Sequence, residues 1–370
     1  MATGVIDGLN SPEALPVTAD QITASWCSKI FNRNIKNVSI VREMHGTASK
    51  IIVELVDDSP NNPLPKRLCF KGGFNPQLVA IHPAINATYR REAEFYYHIA
   101  PTVKMRLPKA WYCGSDTVTG QGIVAMEDLE GSGCTFPNAL ETLPPAQVYA
   151  GVEQLAALHA KTWGASPKAF PWVANGKSLE ENPLLGMVLA LLSPVAWSVR
   201  FAEGEAPPVP KEMADRLRIM AAFKTLWRSA DTSFMVVAHG DAHIGNTFLT
   251  AEGKTGFIDW QGCHVNSAFH DVAYFVTGTL SAEDRREHEG SIVDHYLKTL
   301  AELGGPKLER ADVWDEYRKN CFHGFAWALT APQMQPKDII FTMTARHCAA
   351  IMDHKTLELL EGLPEYKKEE

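Results

Sequence analysis

The first third of the chain contains short segments rich in valine and isoleucine, separated by polar, turn-forming residues. Such segments are typical of β-strands, because branched side chains pack well on a pleated surface. They predict strands over residues 38–43, 50–56, 68–71, 109–113 and 122–126. Apolar residues at helical spacing predict helices over 17–32 and 86–99. We therefore expect an N-terminal lobe, residues 1–127, that contains an N-terminal helix, an antiparallel sheet and one key helix.

Beyond residue 131 the apolar residues recur at helical spacing. The pattern predicts helices over 145–164, 211–229, 267–280, 283–302, 311–329 and 336–352, with strands over 234–238 and 255–258. An apolar run over 184–199 contains Pro194 and is shorter than a membrane-spanning helix requires. We interpret it as a buried helix broken at the proline. Residues 128–370 should then form a larger, mainly helical lobe, which makes the fold class α+β.

Composition narrows the functional classes. The chain has 370 residues, a formal net charge of -8 and no run of lysine or arginine, which disfavours nucleic-acid binding. Its seven cysteines are scattered without a C-x-x-C pair, so we expect neither a disulfide framework nor a structural zinc site. The first residues, MATGVIDGLNSPE, lack the basic and apolar regions of a signal peptide. These features predict a cytoplasmic protein without a membrane span, and nothing in them indicates a protein partner.

The strongest chemical signal is a polar turn that follows the predicted strand at 234–238. It has the sequence HGDAHIGN and carries Asp241 and Asn246, and the next strand ends at Asp259. These strand ends bring two carboxylates and an amide toward one place. Phosphoryl transfer needs such a set, because one carboxylate orients the attacking hydroxyl and oxygen ligands hold Mg²⁺. The pattern therefore predicts phosphoryl transfer to a hydroxyl group.

Four segments resemble the aminoglycoside phosphotransferase and choline kinase superfamily, and within it the ecdysteroid-kinase-like branch. They are HGDAHIGNTF, GFIDWQ, HDVAYFVTGTL and LAALHAKTWG, and the resemblance covers about residues 40–280. It implies a two-lobed, protein-kinase-like fold and a small-molecule kinase. By position, Asp241 would be the catalytic base, and Asn246 and Asp259 would hold Mg²⁺ against the phosphates of ATP.

The same resemblance implies supporting roles for three further residues. His239 would brace the catalytic loop. His243 would either brace the loop as well or contact phosphate or substrate. Asp271 would stabilise the loop by hydrogen bonding.

The N-terminal lobe should supply the lysine that binds the α- and β-phosphates of ATP. Lys71 ends an apolar strand where related kinases place this lysine, although an exposed strand-end lysine is the alternative. Its partner should be a glutamate of the following helix, which offers Glu92 and Glu94. The related pattern E-x-x-F-Y selects Glu92, and Glu94 remains open.

Two further segments are candidates for nucleotide binding. Residues 44–50 fit an ordinary hairpin turn, but they also resemble the G-x-x-S loop of the ecdysteroid-kinase-like branch, in which Gly46 and Ser49 would contact phosphate. Residues 126–129 resemble the hinge of these kinases, where the backbone of Glu127 and Leu129 would bind adenine. An acidic linker is the alternative for this second segment.

Other functions remain as alternatives. Residue types that commonly bind metal ions occupy alternate positions at His239, Asp241 and His243. A metallohydrolase could use them together with His264 or His270 as metal ligands. A catalytically weak, pseudokinase-type binding module is a second alternative. A protein kinase is a third, but the chain lacks the D-F-G and A-P-E signatures.

The acceptor is not readable from the motifs. Six tryptophans beyond the first lobe suit either a moderately hydrophobic acceptor or ordinary core packing: Trp163, Trp172, Trp197, Trp227, Trp260 and Trp327. A moderately hydrophobic small-molecule alcohol is therefore a hypothesis that needs an acceptor screen.

Overall fold

The computed structural model describes residues 9–59, 63–166, 168–173 and 183–369. Part of the segment examined for a signal peptide, residues 1–8, lies outside this range. The chain divides into two compact units. Unit 1 comprises Met1–Thr135, Ala169–Val173 and Ile258–Cys263, and unit 2 comprises Phe136–Lys168, Ala174–Phe257 and His264–Glu370. The lobe boundary between residues 127 and 128 stays a prediction.

Unit 1 contains a five-stranded antiparallel sheet with the strand order β1-β2-β3-β5-β4. Its strands are β1 (Ile35–Met44), β2 (Ser49–Asp57), β3 (Arg67–Gly72), β4 (Ala110–Ser115) and β5 (Gly122–Glu127). All five predicted strands are present. β1 extends beyond the predicted residues 38–43 at both ends. Its pairing with β2 has two register shifts.

The helices of unit 1 differ from the prediction at the N-terminus. They are α1 (Ala24–Phe31), α2 (Pro76–Ile81) and α3 (Asn86–His98). A continuous helix over 17–32 is wrong, because the Thr23 side chain accepts a hydrogen bond from Trp26 N at 3.2 Å and so caps a helix that begins at Ala24. A separate 3₁₀ turn, Ala19–Gln21, precedes this cap.

The two faces of the sheet have different partners. On β3, Leu68 and Phe70 point into an apolar core that includes Trp26 of α1, with the rings of Phe70 and Trp26 5.8 Å apart. Lys71 points to the opposite face, because successive side chains of a strand alternate. There it meets Glu92 of α3. Side chains of β3 therefore alternate between an apolar face that packs in the core and a face that carries the charged Lys71.

Unit 2 is mainly helical and adds two short strand pairs. Its helices are α4 (Pro145–Thr162), α5 (Pro183–Leu191), α6 (Pro194–Arg200), α7 (Arg216–Arg228), α8 (Ala268–Thr279), α9 (Ala282–Glu302), α10 (Arg310–Asn320), α11 (Ala326–Leu329), α12 (Lys337–Asp353) and α13 (Thr356–Glu361). Its strands are β6 (Met235–Ala238), β7 (Thr247–Leu249), β8 (Thr255–Phe257) and β9 (His264–Ser267). β6 pairs with β9 and β7 pairs with β8, both antiparallel.

One long predicted helix is interrupted. The prediction of a single helix over 311–329 is wrong, because a 3₁₀ segment, Cys321–Phe325, separates α10 from α11. Residues three apart eclipse each other in a 3₁₀ helix. Phe322 and Phe325 accordingly stack nearly parallel, with ring centroids 5.9 Å apart. This aromatic pair packs against Phe223 of α7 in the core of unit 2.

The apolar run is broken at its proline, as predicted, but the prediction that it is buried is wrong, because Val195 and Val199 are 75% and 70% exposed. Ser193 caps α6 by accepting a hydrogen bond from Ala196 N at 3.3 Å, and Pro194 occupies the first helical position. Within the described ranges, no helix combines the length and apolar character of a transmembrane span.

Helix α8 lies at the centre of unit 2. All of its residues are buried, so it is enclosed on every side rather than amphipathic. It follows β9 and carries Asp271 and Tyr274, and Asp271 contacts the loop that joins β6 to β7. The buried helix thus provides a rigid support for the candidate catalytic loop.

Candidate active site

In unit 1, Lys71 is held between two carboxylates. Its Nζ lies 2.8 Å from Glu92 Oε1 and 2.9 Å from Asp259 Oδ1. Burial on its own lowers the pKa of Lys71, but the charges of Asp259 and Glu92 outweigh burial and hold the pKa above its ordinary value. The side chain is therefore a buried ammonium, which is stable only because both partners compensate its lost hydration.

Of the two candidate glutamates, α3 directs Glu92 toward this lysine. Glu92 Oε1 also accepts a hydrogen bond from Trp260 N at 3.1 Å. Glu94 accepts the Leu9 amide at 2.8 and 2.7 Å, and it contacts His98 Nε2 at 3.0 Å. Glu94 therefore anchors the N-terminal segment, whereas Glu92 joins the lysine to the segment that carries Asp259.

Asp259 adopts a left-handed backbone conformation, with φ 67° and ψ 70°. This costs a residue with a side chain about 1 kcal/mol, so neighbouring contacts must hold it in place. Trp260 supplies one of them, because its ring stacks on Phe95 at 3.8 Å with an interplanar angle of 5°. Arg91 supplies another by donating to Gln261 O at 2.8 Å. Helix α3 thus fixes the turn that presents Asp259 to the lysine.

The loop between β1 and β2 carries the other two predicted phosphate contacts of unit 1. Ser49 begins β2, is buried, and has its Oγ 2.9 Å from His45 Nδ1. Tyr89 steadies the loop by donating to Thr47 O at 2.7 Å. At Gly46 an added Cβ would meet only Ala48 O, at 3.6 Å. Packing therefore does not require glycine at Gly46.

The predicted hinge lies at the end of β5. Glu127 is its last residue, and its N–H donates to Lys109 O at 2.9 Å. The carbonyl of Leu129 accepts hydrogen bonds from Ser132 N and Cys134 N.

In unit 2, Asp271 of α8 holds the loop between β6 and β7. Its carboxylate accepts the backbone N–H groups of His239 at 2.6 Å and Gly240 at 2.9 Å. Gly240 has a φ of 81°, which glycine adopts without strain. His159 Nε2 lies 3.2 Å from the same carboxylate, and His159 Nδ1 contacts Tyr296 Oη at 2.8 Å. A chain of buried hydrogen bonds from α9 through α4 therefore supports the loop.

The protonation of Asp271 follows from these contacts. Burial by itself raises the pKa of Asp271, but the hydrogen bond and charge of His159 outweigh burial. The pKa lies well below its ordinary value, so Asp271 is a carboxylate at neutral pH.

The two loop histidines make similar contacts. His239 is fully buried, and its Nδ1 accepts the Asp241 N–H at 3.2 Å. His243 Nδ1 accepts the Gly245 N–H at 3.0 Å, while its Nε2 lies 3.6 Å from Asp241 Oδ2. Both rings thus brace backbone amides of the loop, and His243 also approaches the carboxylate.

Asp241 and Asn246 are brought together within this loop. Asn246 Nδ2 donates to Asp241 O at 2.9 Å and to Asp241 Oδ2 at 3.1 Å. The amide therefore turns its nitrogen toward the aspartate, and Asn246 Oδ1 is the atom that could bind a cation. The Asp241 side chain is 48% exposed, so a substrate can reach it.

Sequence reasoning missed Tyr274. Its hydroxyl donates to Asp241, and its ring lies 6.2 Å from the ring of His243. Burial raises the pKa of Tyr274 well above its ordinary value, and the charge of Asp241 and the hydrogen bond to it act in the same direction. The phenol therefore stays a donor. The sequence did contain a signal for Tyr274, because this residue follows Asp271 by three positions and so lies on the same face of α8.

With this geometry established, comparisons with known proteins identify the family. The model of the ecdysteroid kinase-like family matches residues 80–305, more than half of the chain. The chain belongs to the ecdysteroid kinase-like family. No curated protein matches the sequence.

Solved structures of an aminopropanol kinase, a spectinomycin phosphotransferase and a choline kinase are similar to this ecdysteroid kinase-like protein. The microcompartment-associated aminopropanol kinase has a TM-score of 0.52 at 14% identity, covering 90% of this chain and 99% of its own. Spectinomycin phosphotransferase APH(9)-Ia has a TM-score of 0.47 at 13% identity, covering 94% of this chain and 99% of its own. Choline kinase LicA from Streptococcus pneumoniae has a TM-score of 0.46 at 13% identity, covering 90% of this chain and 99% of its own. The predicted two-lobed, protein-kinase-like α+β fold is confirmed.

The metallohydrolase alternative gains no support from the histidines of this family member. Among the residues that the structure describes, no group of three or more His, Cys, Asp or Glu side chains is arranged to hold a metal ion. His264 and His270 lie near each other, with ring centroids 5.7 Å apart. His270 Nε2 contacts the carbonyl of Gly240 at 3.3 Å and so adds to the support of the loop.

Three histidines, two of them buried and His323 partly exposed, cluster near the loop of this ecdysteroid kinase-like protein. His270 and His323 have ring centroids 4.2 Å apart, and His347 stacks on Tyr274 at 5.2 Å. Burial lowers the pKa of all three imidazoles, and for His347 it lowers the pKa to about 3. The cluster is therefore neutral at physiological pH.

This cluster predicts a loss of stability in mild acid. The pKa of His347 is lower in the folded chain than the ordinary 6.5 of an unfolded one, so the unfolded chain binds more protons between these values. Stability should fall as the pH drops below 6.5. We expect His347 alone to contribute about 1 kcal/mol to the fall in unfolding free energy between pH 7.5 and 5.5.

Urea unfolding of the wild type and His347→Gln at both pH values measures this contribution. The variant should lose about 1 kcal/mol of the pH dependence. His82→Gln, at an exposed position, serves as the control and should keep the wild-type dependence. Equal pH dependence in His347→Gln and the wild type would contradict a neutral, buried His347.

Proposed function

We propose that this protein transfers the γ-phosphoryl group of ATP to a hydroxyl group of a small molecule. The observation that carries the proposal is the buried Lys71 ammonium, bonded to both Glu92 and Asp259. In kinases a lysine positioned by a helix glutamate binds nucleotide phosphates. A metallohydrolase centred on the loop histidines leaves this three-residue set unexplained.

The nucleotide contacts follow from the groups available in unit 1. Lys71 would bind the α- and β-phosphates, with Glu92 holding its ammonium in place. Ser49 and the backbone at Gly46 would contact phosphate oxygens. The backbone of Glu127 and Leu129 would bind the adenine edge, as the resemblance of residues 126–129 to the hinge of related kinases implies.

Mg²⁺ is the metal that fits the available donors. Asn246 would offer Oδ1, since its nitrogen is engaged by Asp241, and Asp259 would offer a carboxylate oxygen. Hard oxygen ligands of this kind suit Mg²⁺ together with phosphate oxygens. When bound, the ion would neutralise charge on the phosphates.

Asp241 would orient the acceptor hydroxyl and take its proton as the new O–P bond forms and the bond from the γ-phosphorus to the bridging oxygen of ADP breaks. Asn246 and Tyr274 hold the Asp241 carboxylate for this role. Asp271, His239 and His243 would keep the loop in shape. Positioning and charge neutralisation should supply most of the rate enhancement.

The acceptor would be a small-molecule alcohol, and a moderately hydrophobic one remains our hypothesis. The tryptophans give this hypothesis limited support. Trp260 is fully buried, belongs to unit 1 and stacks on Phe95, and Trp227 packs in the core of unit 2. Trp327 differs, because its ring lies 5.3 Å from the ring of His243 in the catalytic loop. Trp327 is itself buried, so its ring adjoins the catalytic loop from within the core.

An acceptor screen tests the function and the hypothesis together. We expect ADP release from Mg-ATP to rise above background for at least one set among aliphatic and sterol alcohols, amino sugars and choline analogues. Mass spectrometry of the product identifies the phosphorylated compound, and Asp241→Asn serves as the blank. Preference for polycationic sugars would refute a hydrophobic acceptor. Nucleotide binding without transfer to any compound would favour the pseudokinase-type alternative.

A further inference from the structure

Two lysines lie directly opposite each other on the sheet of unit 1. In the ladder between β2 and β3, Lys50 pairs with Lys71. Directly opposed residues of an antiparallel pair share a face of the sheet, with Cβ atoms about 5 Å apart. Like charges at this spacing destabilise a sheet. Their mutual repulsion is therefore a cost to the sheet unless other charges offset it.

Only one of the two lysines has its charge compensated by protein. Lys71 contacts Glu92 and Asp259, as described above. Across the described ranges, no carboxylate forms an ion pair with Lys50, which is only partly exposed. Two other lysines at this sheet differ, because Lys36 lies 3.6 Å from Asp58 and Lys66 lies 3.5 Å from Glu54.

Neighbouring residues confirm the face on which Lys50 lies. Ile52 pairs with Cys69, and Cys69 lies on the same side of β3 as Lys71. Burial raises the pKa of the Cys69 thiol to about 12, and the charges of Lys50 and Lys71 both act against that rise. Both ammonium groups are thus close enough to act on one buried thiol.

Lys50 also directly follows the predicted phosphate loop. It comes after Ser49, the first residue of β2 and a candidate phosphate contact. We propose that Lys50 is a second phosphate-binding lysine, which takes the phosphates of a nucleoside di- or triphosphate together with Lys71. This inference rests on the proposed kinase function. A bound polyphosphate would give Lys50 an anionic partner, as Glu92 and Asp259 already do for Lys71.

Calorimetric titration of the full chain with Mg-ATP, Mg-ADP and adenosine tests the proposal. Lys50→Met should weaken binding of Mg-ATP and Mg-ADP by about tenfold, the loss expected for one charge-assisted contact. Its affinity for adenosine should stay at the wild-type value, because adenosine carries no phosphate. Lys66→Met is the matched control, as it removes a lysine beside the same sheet that has its own carboxylate partner.

Stability without nucleotide separates this role from a structural one. Because Lys50 and Lys71 repel each other, Lys50→Met should unfold at the same or a higher urea concentration than the wild type. Unchanged affinity for Mg-ATP in Lys50→Met would overturn the proposal, and so would an equal loss of affinity for adenosine. A wild type that binds adenosine but gains nothing from phosphates would overturn the kinase function itself. If Lys50→Met unfolds early, Lys50→Arg decides, because it should retain phosphate affinity.

Discussion

Asp241→Asn should lower the turnover number by about 10³-fold while the affinity for Mg-ATP stays within about twofold. The substitution keeps the shape of the side chain and an oxygen that can still accept from Asn246 and Tyr274. It removes the negative charge that orients the acceptor hydroxyl and the basicity that receives its proton. Turnover depends on both properties, whereas the nucleotide contacts that we propose lie mostly on unit 1.

Turnover with the best acceptor of the screen and calorimetric titration with Mg-ATP together measure these two effects. Asp315→Asn is a suitable control, because Asp315 is 75% exposed and pairs with Arg318 of its own helix. Its turnover should match that of the wild type. Wild-type-like turnover in Asp241→Asn would sink the proposed mechanism, and an equal loss of ATP affinity would show that Asp241 acts mainly in nucleotide binding.

Local sequence patterns were sufficient for much of the fold and for part of the site. The strands of unit 1 are short and rich in branched residues, which favour the strand conformation. Lys71 could be found because it ends such a strand, but the strand–helix order left both Glu92 and Glu94 as its partner, and the structure shows the contact with Glu92. The loop motif likewise placed Asp241 beside Asn246, since the two are only five residues apart.

Other features depend on contacts between distant segments, which one sequence does not display. Residues 258–263 join unit 1, although unit 2 surrounds them in the chain. The pairing of Lys50 with Lys71 depends on the register of β2 against β3. A slip of one residue in that register would move every side chain of the strand to the other face of the sheet. The 3₁₀ segment at Cys321–Phe325 contains Gly324, a poor helix former, but the close packing of His347 against that glycine is a contact between distant segments. Tertiary packing decided each of these features.

Asp271→Asn should lower the free energy of unfolding by roughly 3 kcal/mol at pH 7, and turnover should fall with it. The wild-type carboxylate accepts two backbone N–H groups and faces His159 without exposure to water. An amide offers one oxygen to these groups and turns its own N–H toward at least one of them. A buried donor is then left unpaired, and the loop that carries Asp241 loses its anchor on α8.

The pH dependence of this loss distinguishes a carboxylate anchor from a simple packing defect. The folded-state pKa of Asp271 is lower than the ordinary value near 3.9, so its stabilisation is fully present above that value and is lost as the pH falls toward the folded-state pKa. The stability gap between the wild type and Asp271→Asn should therefore be constant from pH 5 to pH 8 and narrow below about pH 4. Urea unfolding across this range measures the gap, and Asp294→Asn, at a half-exposed ion pair with Arg310, provides the control. A gap that stays unchanged down to pH 3 would indicate that the shape of Asp271, and not its charge, holds the catalytic loop.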